Sequence, residues 1–153
     1  MSVSPIPNLN PAEICDLAAL AGTMIPASTE YGVPGADDPA IQADILATLG
    51  RDLDDVRAAL AAAARLAGGC FADLDAARRE QVMTDLTSGA NKAVGTLGRV
   101  VLAAYYRDAR VVRALGLEPG APFPKGRTLE QGDWSLLDAV RGRAPMWRAE
   151  EIR

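Results

Sequence analysis

Apolar residues recur three and four positions apart through most of the first 116 residues, and no stretch alternates cleanly between apolar and polar. That spacing gathers side chains on one face of an α-helix, whereas a half-buried strand needs alternation at every second residue. Only 5% of the residues are aromatic, so alanine and leucine must fill most of the core. Both lose little on entering a helix, while strands favour branched and aromatic side chains. The expected fold is therefore all-α, a small helical bundle.

Start and stop signals divide the pattern into segments. Asn10-Pro11-Ala12-Glu13 reads as a capping residue, a first-turn proline and an acid that can reach back to the cap. Ile14, Leu17, Ala18, Ala21, Met24 and Ile25 continue it as one stripe, which Pro26 ends. Residues 26–38 are a loop, with Gly32, Pro34 and Gly35 as breakers. Asp38-Pro39 opens a second helix carrying Ile41, Ile45, Leu46 and Leu49, which Gly50 stops or kinks. A third carries Leu53, Val56, Leu60, Ala63, Ala64 and Leu66 as far as Gly68-Gly69, with Asp52, Asp54, Asp55, Arg57 and Arg65 as a solvated outer face.

Asp73 or Asp75 caps a fourth helix, with Ala77, Val82, Met83 and Leu86 inward and Arg78, Arg79, Glu80 and Asp85 outward. The most apolar helix bears Val94, Leu97, Val100, Val101, Ala104 and Tyr105, and is expected at the centre. Gly95 and Gly98 either weaken it or let a neighbouring helix come close. Asp108 caps a short last helix through Val111, Val112 and Leu115, ended by Gly116.

Beyond this bundle, residues 1–116, the character changes. Residues 117–133 hold three prolines and three glycines and cannot sustain a helix. One short helix is expected at Trp134–Val140, followed by extended chain over 141–148. Residues 117–153 thus read as a long, mostly irregular tail. Phe123 and both tryptophans, Trp134 and Trp147, lie in it. Three such side chains bury roughly 450–750 Å² together, as much as or more than the largest apolar patch a monomer usually shows, about 300–600 Å². They must pack on something, either this chain's own bundle or pockets of another protein. In the second case Phe123, Pro124, Trp134, Leu136, Leu137, Arg141, Met146, Trp147 and Arg148 would supply the contact, with Tyr31 of the first loop.

Several chemistries are excluded or disfavoured. The chain has no histidine, which removes a histidine base, a Ser-His-Asp triad and any histidine-ligated metal. Gly95-Thr96-Leu97-Gly98 lacks the spacing of a phosphate-binding loop. Tyr105-Tyr106 reads as core and helix-edge packing, and the carboxylates as caps and solvated faces. Catalytic, cofactor-binding and metal-binding residues are therefore all expected to be none. Cys15 and Cys70 read as buried free thiols, with one disulfide possible if the fold joins them. Residues 1–91 hold 13 acids and 5 bases, and residues 92–153 hold 7 acids and 11 bases. The basic second part suits either an ordinary dipolar surface or an acidic partner, and the net charge of −4 disfavours nucleic acid. No membrane span or secretion signal is evident, so a cytoplasmic location is expected.

Three segments together resemble the gluconate 2-dehydrogenase subunit 3 family. They are Leu20-Ala21-Gly22-Thr23-Met24-Ile25-Pro26 with Pro34-Gly35-Ala36; Tyr105-Tyr106 with Leu115-Gly116; and Phe123-Pro124-Lys125-Gly126 with Asp133-Trp134-Ser135-Leu136-Leu137 and Val140-Arg141. The likeness runs from about Leu9 to Trp147. It implies a helical small subunit without chemistry of its own, which binds and stabilises a larger flavin dehydrogenase of the glucose–methanol–choline type. FAD would belong to that partner, which oxidises an alcohol, sugar or polyol. Such small subunits often carry a twin-arginine export signal, and here Arg78-Arg79 is internal. A cytoplasmic pair, or export signalled by the partner, follows from that departure. Two alternatives stay open: a self-sufficient adaptor with its tail folded back, and a small helical enzyme using tyrosine and carboxylates as acid and base.

Overall fold

The computed structural model describes residues 9–120, 126 and 130–144. Among them the chain is all-α, with seven α-helices and three short 3₁₀ turns. It divides into two units, residues 1–120 and 121–153.

The first unit begins as its local signals dictate. The Asn10 side chain accepts from the Glu13 amide at 2.9 Å, and the Glu13 carboxylate accepts from the Asn10 amide at 2.7 Å. This reciprocal cap opens α1, Pro11–Met24. Asp38 caps α2, Pro39–Thr48, which stops before Gly50 rather than kinking there. Helix α3 spans Leu53–Ala67 and α4 spans Ala76–Thr87, with Asp75 rather than Asp73 as the cap of α4. Asn91 caps α5, Lys92–Tyr105, and Asp108 caps α6, Ala109–Ala114.

The core is shared by all six helices of this unit. Leu17 and Leu20 of α1, Ile41 and Ile45 of α2, Val56 of α3, Val82 of α4, Val101 of α5 and Val111 of α6 are all fully or almost fully buried. Helix α3 packs on α5, α4 and α1, and α2 packs on α5, so the α3–α5 pair, rather than α5 alone, forms the centre. The largest fully buried side chain is Phe71, in a 3₁₀ turn between α3 and α4 that packs on α1. Arg79 does not point outward as expected. Its guanidinium donates to the Ala72 carbonyl and lies 6.0 Å from the Phe71 ring centre, holding that turn in place.

Other side chains also depart from the expected faces. Leu66 and Ala77 are exposed, because each falls at the margin of its helix's apolar stripe and no neighbouring helix covers it. Asp52 and Asp55 are not a free solvated face; they pair across to Arg99 at 2.8 Å and Lys92 at 2.9 Å, both on α5. Cys15 is exposed rather than buried, since it falls on the outer side of α1, and both thiols are free. Tyr105 is buried with its hydroxyl donating to the Pro34 carbonyl at 3.2 Å, and burial pushes that phenol's pKa up. Tyr106 stands edge-on to it and remains exposed, in keeping with core and helix-edge packing.

The loop between α1 and α2 is pinned from several sides. Buried Gln42 donates from Nε2 to the Ala36 carbonyl at 2.7 Å. Gly22 and Gly35 close over the Asp37 side chain: a Cβ on Gly22 would lie 2.9 Å from Asp37 Cγ, and one on Gly35 would strike Asp37 Oδ1 and sit 3.0 Å from the Ala27 amide nitrogen. Close approach of the backbone to Asp37 explains both glycines.

The second unit is a single short helical stretch among its described residues. A 3₁₀ turn at Trp134–Leu137 runs into α7, Asp138–Arg141. The helix expected at Trp134–Val140 is thus present, one residue longer and tighter in its first half. Residues 130–133 are outside any helix. The extended chain expected over 141–148 does not begin at 141: Arg141 ends α7, and the Gly142 and Arg143 amides donate back to Asp138 and Val140 at 3.1 Å in a closing turn, while 145–148 lie outside the described residues.

Candidate partner-binding surfaces

The Trp134 segment is held by its own polar groups. Asp133 Oδ1 accepts from the Ser135 amide at 3.0 Å and the Ser135 hydroxyl at 2.6 Å, bonds that lower the Asp133 pKa. The Trp134 indole N–H donates to Gln131 Oε1 at 3.3 Å, and Arg141 pairs with Asp138 one turn back at 3.2 Å. With those polar groups satisfied locally, the apolar surface is left outward. Trp134 is 61% exposed and Leu136 75%, with Leu137 and Val140 also exposed. None of the described residues of this unit is buried. A helix this short is marginal in water by itself.

Of the residues expected at a partner contact, Trp134, Leu136, Leu137 and Arg141 are brought together on this one stretch. Phe123, Pro124, Met146, Trp147 and Arg148 lie outside the described residues. Tyr31 belongs to the first unit, where it tops a tight turn. Ser28 and Val33 exchange backbone hydrogen bonds of 3.1 and 3.0 Å, the Tyr31 amide donates to Ser28 Oγ at 3.3 Å, and the ring is 70% exposed. This lone bridge is a local feature that helical periodicity cannot signal.

A third apolar surface was not legible as a site. Helices α4 and α5 diverge from their link at residues 88–91 and leave a cavity of about 640 Å³ between them, open to solvent. Leu20 and Met24 of α1, Met83 and Leu86 of α4, and Val94 and Leu97 of α5 line it, with Gly95 and Gly98 along the α5 edge. The same two glycines also border a shallower apolar surface with Leu102, Ala103 and Tyr106, so the two are continuous. The available signal was a second apolar line on α5, Gly95–Gly98–Leu102–Tyr106, at helical spacing.

The polar clusters of the first unit tie helices together. Arg110 donates to Asp38 at 2.8 and 2.9 Å and to Asp108 at 2.8 and 3.0 Å, while those carboxylates cap α2 and α6 through the Ala40 and Arg110 amides. This arginine holds the Asp38 carboxyl down to about 2 and lowers that of Asp108. Buried Asp16 accepts from the Ala72 amide at 2.8 Å and from the Cys70 thiol at 3.0 Å, which raises the pKa of that thiol. Asp55 accepts from Thr96 at 3.1 Å as well as from Lys92, with its own pKa lowered chiefly by Lys92. Among the described residues no three Cys, Asp or Glu side chains form a metal-binding group, and no helix is long and apolar enough to cross a membrane.

Comparisons with family models, with curated proteins and with solved structures find no match to this chain.

Proposed function

We propose that this chain is a non-catalytic small subunit that binds and stabilises a larger FAD-dependent dehydrogenase, as its resemblance to the gluconate 2-dehydrogenase subunit 3 family implies. The observation that carries the partner-binding part is the Trp134–Arg141 stretch, whose polar groups are satisfied while Trp134, Leu136, Leu137 and Val140 remain exposed. Aromatic anchors of this kind dominate binding energy when they enter a partner's pocket. The FAD and the oxidation of an alcohol or sugar belong to the partner in this reading, and the segments quoted for the resemblance carry that part.

Co-expression with a flavoprotein of the glucose–methanol–choline type, followed by native mass spectrometry, tests it. A one-to-one or higher complex containing FAD is expected, and Trp134→Ala should weaken it by about 2 kcal/mol or more while the isolated chain keeps its helical content. Redox turnover by the purified chain supplied with FAD would overturn the non-catalytic reading. Loss of the bundle on Trp134→Ala would make that ring part of this chain's own core.

A further inference from the structure

We draw no further inference here: the strongest candidate, the open apolar groove between α4 and α5 lined by Met24, Met83, Leu97 and Gly98, carries nothing because no feature of the structure shows what covers it, and the cations beside it, Lys92 and Arg99, are already paired with Asp55 and Asp52.

Discussion

If α5 leaves Gly95 and Gly98 facing open space, replacing both by alanine should make the isolated chain more stable. A glycine in a helix interior is less favourable than alanine by about 0.5–1 kcal/mol, largely through backbone freedom lost on folding. The new methyl at Gly95 meets nothing within 4 Å, and the one at Gly98 meets only Met24 Cε at 3.8 Å, an ordinary van der Waals distance. No steric cost offsets the gain. The double variant should therefore gain about 1–2 kcal/mol, or roughly 2–8 °C in melting temperature for a chain of this length. Urea unfolding followed by circular dichroism reads this directly as a higher midpoint at unchanged slope. Gly35→Ala is the contrasting case, because its methyl would strike Asp37 Oδ1 and the Ala27 amide nitrogen, and it should lose about 1–3 kcal/mol. Destabilisation by Gly95→Ala or Gly98→Ala would refute the reasoning, since some part of the chain would then already occupy the face.

Further tests address the polar ties. The Asp38 carboxyl falls from 3.8 to about 2 in the folded chain, so its contribution is present above pH 3.8 and is lost as pH drops through about 2. Its ceiling is about 2.5 kcal/mol, and screening at this partly exposed site should leave about 1. Asp38→Asn, which can keep the cap on Ala40, should show that deficit at pH 7 and converge with the parent chain near pH 2 in chemical unfolding. A gap that stays constant with pH would remove the role given to Arg110. For the thiols, Cys15 is exposed while Cys70 donates to Asp16 and has its pKa raised. Ellman's reagent should label Cys15 well before Cys70, and Asp16→Asn should speed labelling of Cys70; equal rates in the parent chain would contradict this geometry.

Much of the fold was written locally. Asn10 with Glu13, Asp38 with Pro39, and Asp108 each start the helix expected of them, because a cap needs only a side chain and the next few amides. The stripe Ile41–Ile45–Leu49 faces the core for the same reason, since helical spacing alone places those residues on one side. The short helix at Trp134 was expected from the run Trp134–Val140, while its Asp133 cap was found only in the structure. What lay beyond reach was everything set by distance between helices. Nothing near Phe71 in the chain says that its turn packs on α1, or that Arg79 folds back over it, because those contacts join segments far apart in sequence. Asp52 and Asp55 look like solvent-facing acids until α3 and α5 are laid side by side. The groove is the clearest example. The sequence determines that α5 has two apolar sides, but which of them is covered depends on how far α4 swings away from it, and that divergence is a property of packed helices rather than of any one segment.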